Sequence, residues 1–160
     1  MSLYEKIFNP FTVLAAVKKW KSVNKKIVFT NGCFDLLHKG HVDYLEKAKK
    51  LGDILIVGIN NDASVSNLKG KNRPIQDESG RLAVIAALAA VDAAVLFSGE
   101  TPRDLIQIIQ PDILCKGGDW PLDKIIGAEF VQSYGGKVVT IPFIEGYSTT
   151  NIEQKIRGQQ

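Results

Sequence analysis

The 160-residue chain holds only two cysteines, two histidines and one methionine. Cys33 and Cys115 stand alone without Cys-x-x-Cys spacing, which argues against a disulfide framework and against a cysteine-based zinc site. No apolar run approaches the roughly 20 residues that a membrane-crossing helix needs. The opening MSLYEKIFNP has none of the apolar core of a secretory signal. These absences predict a cytoplasmic chain with no membrane partner. Linkers, internal repeats and low-complexity tracts are missing too, so a single domain is expected over 1–160, with about 1–25 as an N-terminal helical extension. Charge of one sign is scarce: 20 Lys+Arg against 17 Asp+Glu give a net +3, with no long basic run. That balance suits a small anionic substrate at least as well as nucleic acid, and no nucleic-acid partner is expected.

What remains is an ordinary globular composition, 45% apolar and 23% charged, in an alternating order of segments. Val13, Leu14, Ala16, Val17 and Trp20 recur at helical spacing, predicting a helix over about 11–22. KIVFT (26–30) reads as the first strand, and the pattern from Gly40 to Leu51 as a helix stopped by Gly52. DILIVGIN is an apolar run of strand length, suited to burial on both faces of a parallel sheet. The polar stretch over 61–79 reads as a long loop. A helix over about 80–90 and the strand AAVLF follow. The next helix is expected to open on Thr101 as cap, Pro102 as first residue and Asp104 as capping-box acid. Strand DILC, a helix near 123–134 ended by Gly135-Gly136, strand KVVTI and a last helix from about 149 complete the chain. Five strands alternating with helices imply a Rossmann-like, doubly wound parallel sheet with helices on both faces. In such sheets ligands sit beyond the carboxyl ends of the strands. Three segments leave strands there with reactive residues: NGCFDLLHKGH, KGGDW and EGYSTTN.

His38 and His41 are the whole imidazole content of the chain, and their i, i+3 spacing puts them on one face of a first helical turn. Beside the free N–H groups of a helix start, two imidazoles form an anion site. Gly32 and Gly40 allow close approach of backbone to phosphate oxygens. The bland alternative has His38 capping the turn and His41 packing under the sheet. Ser148, Thr149 and Thr150 open the last helix and can bind phosphates through their hydroxyls. They can equally serve as a plain cap, with Thr150 and Glu153 as a capping box. LKGKNRP puts Lys69, Lys71 and Arg73 on the long loop, either as a solvated face or as a lid closing over charge. CKGGDW offers glycines for close approach, Asp119 as acceptor and Trp120 for stacking or packing. Asp35 fits either a water or substrate contact or a helix cap.

GCFDLLHKGHVDYLEKAKKLGD and EGYSTTNIEQKIR together resemble the two signature motifs of the HxGH nucleotidyltransferase superfamily, in its cytidylyltransferase-like branch. The likeness runs from Lys26 to about Arg157. It implies attack of a phosphate on the α-phosphorus of a nucleoside triphosphate, with release of pyrophosphate. It also implies catalytic roles for His38, His41 and Lys69. Nucleotide contacts are implied for Asn31, Gly32, Cys33, Phe34, Asp35 and Gly40 in the first motif, and for Arg81 after the loop. Further contacts are implied for Lys116, Gly117 and Asp119, and for Ser148, Thr149 and Thr150.

No residues are expected to hold a metal directly. Mg²⁺ is expected to arrive bound to ATP. Within the superfamily the segments LKGKNRPI, PDILCKGGDW, GAEFV and EGYSTTNI resemble the adenylyltransferases that form ADP-glycero-manno-heptose. That likeness implies ATP and D-glycero-β-D-manno-heptose 1-phosphate as substrates, lipopolysaccharide biosynthesis as the setting, and a homodimer. The alternatives are a glycerol-3-phosphate cytidylyltransferase, whose family usually carries Gly-Asp-Asp-Trp where this chain has Gly-Gly-Asp-Trp, and a non-catalytic nucleotide-binding regulatory domain.

Overall fold

The chain's short, apolar, β-branched runs become the strands of one central sheet, seen in a computed structural model that describes residues 2–118 and 120–158. The strands are β1 (Ile7–Phe8), β2 (Ile27–Gly32), β3 (Ile54–Asn60), β4 (Ala93–Phe97), β5 (Ile113–Gly117) and β6 (Lys137–Ile141). Their order is β1-β4-β3-β2-β5-β6, and every neighbouring pair is parallel. The five expected strands are all present, and β1 is a sixth. Two residues carry no periodicity of their own; β1 exists because its backbone finds the edge of β4, with Ile7 opposite Ala94 and Phe8 opposite Val95.

Among the described residues seven α-helices cover the sheet: α1 (Pro10–Ser22), α2 (Lys39–Lys49), α3 (Asp62–Lys69), α4 (Glu78–Ala86), α5 (Arg103–Ile109), α6 (Ala128–Ser133) and α7 (Thr149–Ile156). Strand alternation divides the core in two. Val28 and Leu55 pack with Tyr44 and Leu45 of α2 and Ile85 of α4. Ile27, Phe29 and Ile56 point the other way, against Val13 and Val17 of α1, Ile106 of α5 and Val131 of α6. With both faces covered, the middle of β3 has no polar side to show, which explains its near-continuous apolar run. The doubly wound, Rossmann-like α/β reading therefore holds. Among the described residues no helix is long and apolar enough to cross a membrane.

Three local expectations are corrected. The stretch over 61–79 contains α3, capped by Asn61, whose side chain accepts the Ser64 N–H. Only Ser64 and Val65 of α3 are buried, so the sequence shows almost no apolar face there. Helix α5 starts at Arg103 with Pro102 in the cap position, so neither Thr101 nor Asp104 caps it. The expected helix over 123–134 breaks into a 3-10 turn (Leu122–Lys124) and the short α6, because Gly127 takes a left-handed φ of +89° between them.

Aspartates fasten the amino ends of the strands. Asp53 accepts the Lys26 N–H at 2.8 Å, Asp112 the Ile27 N–H at 2.7 Å, and Asp92 the Leu55 N–H at 2.7 Å. The opposite rim is left for loops. There β2 has β3 on one side and β5 on the other, so the order of the chain reverses at β2 and a crevice opens beyond the strand ends.

Candidate active site

Beyond Gly32 the chain turns sharply at Phe34, whose φ of +48° is a left-handed conformation that costs a bulky residue on the order of 1–3 kcal/mol. Burial of its ring offsets that cost: it packs edge-on to His41 with centroids 5.4 Å apart. The turn delivers His38 as the cap of α2, its Nδ1 accepting the Gly40 N–H at 3.1 Å. With Nδ1 an acceptor, the neutral ring carries its proton on Nε2 and can donate it outward. His38 thus caps as the bland reading has it, and keeps a free donor as well. The rings of His38 and His41 stack with centroids 3.9 Å apart. Burial, then the positive charges of His38 and Lys69, push His41 down to about 4, and burial lowers His38 as well. The buried His41 Nδ1 has no hydrogen-bond partner among the described residues. The pair is therefore neutral and partly unsatisfied, a combination that an incoming polyanion would relieve.

Ser148 caps α7 by accepting the Asn151 N–H at 3.0 Å, and Thr149 and Thr150 form its first turn. The alternative Thr150–Glu153 capping box does not form: the cap is Ser148, and Glu153 is paired with Arg73. A hollow of about 290 Å³ separates the two helix starts, lined by Leu37, His38 and Lys39 on one side and Gly146, Tyr147 and Ser148 on the other. Lys39 lies over the Tyr147 ring at 5.3 Å. A Cβ on Gly40 would stand 2.9 Å from His38 Nδ1, so the capping geometry needs glycine here. The first and last signature segments, more than a hundred residues apart, thus face each other across one small space.

Two residues expected at the nucleotide also brace the fold. The Asp35 carboxylate accepts the N–H groups of Ile75 and Gln76 and a guanidinium N–H of Arg73 at 2.8 Å. Burial works to raise its pKa, but those amides and Arg73 outweigh it and hold the carboxyl below the usual range. Its oxygens are engaged by the strap over 73–76, and the cap of α2 is His38, so Asp35 is not a helix cap. Arg81 is almost fully buried and donates to Gln76 O, Cys33 O and Asp62 Oδ1. It ties α4 to the first-motif turn and to the start of α3.

Arg73, read as either a solvated loop cation or a lid cation, joins Asp35 to Glu153 of α7. Lys69 and Lys71 remain exposed at the end of α3, where Gly70 turns the chain with a φ of +100°. Sequence reasoning missed Gln76, Asp62 and the bridging roles of Arg73 and Glu153; their partners are distant in sequence, and no local pattern marks them.

At the end of β5, alternation sends Lys116 to the α5–α6 face and Gly117 to the α2 face. Lys116 Nζ is 3.5 Å from Asn31 Oδ1, and burial lowers its pKa. A Cβ on Gly117 would fall 2.5 Å from the Phe143 ring, so glycine permits that close approach. Cys33 Sγ lies 3.9 Å from Asn60 Oδ1. Trp120 is exposed, and Asp119 lies outside the described residues. A second hollow, of about 240 Å³, is lined by Asn31, Lys116, Trp120, Ile125 and Ile126.

Known proteins agree with this architecture. The chain is 52% identical over 152 residues to the bifunctional protein HldE of Geotalea uraniireducens (strain Rf4), covering 95% of this chain and 31% of that protein. It is 53% identical over 147 residues to the bifunctional protein HldE of Pseudomonas savastanoi pv. phaseolicola (strain 1448A / Race 6), covering 92% of this chain and 31% of that one. The chain thus spans about a third of the length of these curated relatives. Among solved structures, the lipopolysaccharide core biosynthesis protein from Thermoplasma volcanium GSS1 is 34% identical with a TM-score of 0.62, over 78% of this chain and all of that one. Pantoate-beta-alanine ligase from Francisella tularensis, at 18% identity and a TM-score of 0.63 over 94% of this chain and 76% of that one, shares the fold. The family description "cytidylyltransferase-like" matches residues 29–155, and the chain belongs to that family.

Proposed function

We propose that the chain is a nucleotidyltransferase that moves AMP from ATP to D-glycero-β-D-manno-heptose 1-phosphate, giving ADP-heptose and pyrophosphate. The observation that carries the reaction class is the facing of His38 and Ser148 across one hollow, with His41 stacked behind His38. Family membership supports the same class, and the likeness to the HldE proteins and to a lipopolysaccharide core biosynthesis protein supports the sugar. A phosphate oxygen of the acceptor bonds to the α-phosphorus as the bond to the bridging oxygen breaks. The electron pair leaves with pyrophosphate. Such transfer depends on positioning and on stabilising charge at the phosphorus, and needs no covalent enzyme intermediate.

The chain's residues divide that work. Nε2–H of His38 and the imidazole of His41 donate to the α- and β-phosphates. Ser148, Thr149, Thr150 and the free N–H groups of α7 hold the β- and γ-phosphates. Lys69 comes down from α3 as charge grows on the leaving pyrophosphate. Gly32, Gly40 and Gly117 let the rings of Phe34, His38 and Phe143 pack close against the backbone beside that space.

Among the described residues no group of three His, Cys, Asp or Glu side chains is arranged to hold a metal, and the Asp35 carboxylate is already occupied. Mg²⁺ is proposed to arrive on the triphosphate, where it would neutralise phosphate charge. The cytoplasm and a homodimer are the expected setting, and light scattering reads the oligomeric state directly. The deciding experiment compares kcat/KM for ATP with the heptose phosphate against CTP with glycerol 3-phosphate. The first pair is expected to be preferred, as the likeness to the HldE proteins implies. Preference for the second pair would overturn the sugar assignment, and no pyrophosphate from any pair would overturn the class.

A further inference from the structure

We infer that the hollow at the ends of β2 and β5, on the α5–α6 face, receives the acceptor sugar phosphate, with Lys116 anchoring its phosphate and Trp120 stacking on its ring; this rests on the nucleotidyltransferase reading above. The hollow is walled by Leu114, Trp120, Ile125 and Ile126, with Asn31 and Lys116 as polar groups on its floor and Lys124 at its margin. Among the described residues the only polar partner of Lys116 Nζ is the Asn31 amide oxygen, at a long 3.5 Å. An ammonium held against apolar walls is costly unless an anion joins it. A single phosphate satisfies that demand, and its sugar offers C–H groups to the indole face and hydroxyls to Asn31. A triphosphate would bring far more charge than one or two lysines beside four apolar walls can meet.

Position argues the same way. Strand alternation separates this hollow from the one at His38 and Ser148: Asn31 and Lys116 lie on the α5–α6 face, and Tyr44 and Phe143 lie with Gly117 on the α2 face. Both open at the ends of the paired strands β2 and β5, which are in register at Val28 and Ile113. An in-line displacement needs the attacking and leaving oxygens on opposite sides of the phosphorus. A triphosphate tail held at the helix starts and an acceptor held beside Lys116 meet that need across the rim. Lys116 is thereby moved from the nucleotide contacts to the acceptor.

The test measures Lys116→Gln and Lys116→Arg by steady-state kinetics with ATP, Mg²⁺ and the heptose phosphate. Lys116→Gln is expected to raise KM for the sugar phosphate at least about tenfold and leave KM for ATP within about twofold, and Lys116→Arg to recover most of the loss. In a Trp20→Phe background Trp120 is the only tryptophan. Its emission should change saturably with heptose phosphate alone, and lose that response in Lys116→Gln. An equal or larger rise in KM for ATP, unchanged KM values, or an emission blind to the sugar phosphate would overturn the assignment. Absence of pyrophosphate release by the unmodified chain with every nucleotide would instead remove the reading it rests on.

Discussion

Arg73 lies 2.8 Å from Asp35, a pair whose carboxylate is buried and whose guanidinium is partly exposed. The other guanidinium nitrogen pairs with Glu153 of α7. One side chain therefore joins the first-motif turn, the strap that follows α3, and the helix that opens on Ser148. Its planar, two-sided fork suits the job in a way that a lysine's point charge does not.

Removing Arg73 should therefore destabilise the fold as well as the site. Arg73→Met leaves the Asp35 carboxylate buried with only amide partners, and breaking one side of such a pair costs about 3–5 kcal/mol. The expected result is a large drop in the urea midpoint, with Arg73→Lys recovering part of it. Asp35 adds a pH signature. Its folded pKa is depressed, so its contribution is fully present above the ordinary value of 3.8 and is lost as pH falls below that. Asp35→Asn should flatten the acid limb of the stability curve. A midpoint unmoved by Arg73→Met would mean that the strap is held by its amides alone.

His38→Ala and His41→Ala should each slow turnover far more than they weaken nucleotide binding. On the proposed reading each removes a donor to the phosphate oxygens, a loss on the order of 3 kcal/mol, roughly a hundredfold or more in rate. His38→Ala should also lower stability by about 1 kcal/mol, because the cap on the Gly40 N–H goes with it. Single-turnover kinetics separates binding from chemistry here. Near-normal turnover in either folded variant would remove the histidines from the site.

Most of the strands and the larger helices could be read before any coordinates, because apolar runs and helical spacing report burial directly. The three rim segments were legible for the same reason: each follows a strand, and parallel topology carries strand ends to one edge. What was not legible shares a cause. Asp35, Arg81 and Glu153 are polar residues whose partners in the fold are distant in the chain, so their local setting did not show those partners. Phe34 hides its left-handed backbone behind a residue type that normally avoids it. Helix α3 shows almost no apolar face because it packs mainly through Ser64 and Val65, and β1 is too short to show any period.

The strap and α3 also change what a mobile lid can be. With Ile75 and Gln76 fastened to Asp35, the segment free to move shrinks from the whole of 61–79 to the few residues around Gly70. Hydrogen exchange should be fast at Lys71 and Asn72, slow at Ile75 and Gln76, and should slow at the former when ATP and Mg²⁺ are added. Excess chelator should abolish both that protection and turnover. Protection of Lys71 and Asn72 that is equal with and without nucleotide would make the segment a surface feature.

The last prediction follows from the neutral state of the stacked histidines. His41 sits at about 4 in the folded chain against 6.5 for a free imidazole, held down by burial and by His38 and Lys69. The sign is fixed by which state binds the proton. Between about 4 and 6.5 the unfolded chain protonates His41 and the folded chain does not, so stability falls as pH drops through that window. His41→Asn should remove this part of the slope. Nucleotide acts in the opposite direction: a triphosphate beside the ring favours the imidazolium and raises its pKa, so binding at about pH 5.5 should draw a proton from solution. Titration calorimetry in buffers of different ionisation enthalpy reads that uptake directly. Uptake should be clear at about pH 5.5, nearly gone at about pH 8, and reduced in His41→Asn. Binding without any proton uptake at the lower pH would place the phosphates away from the histidine pair.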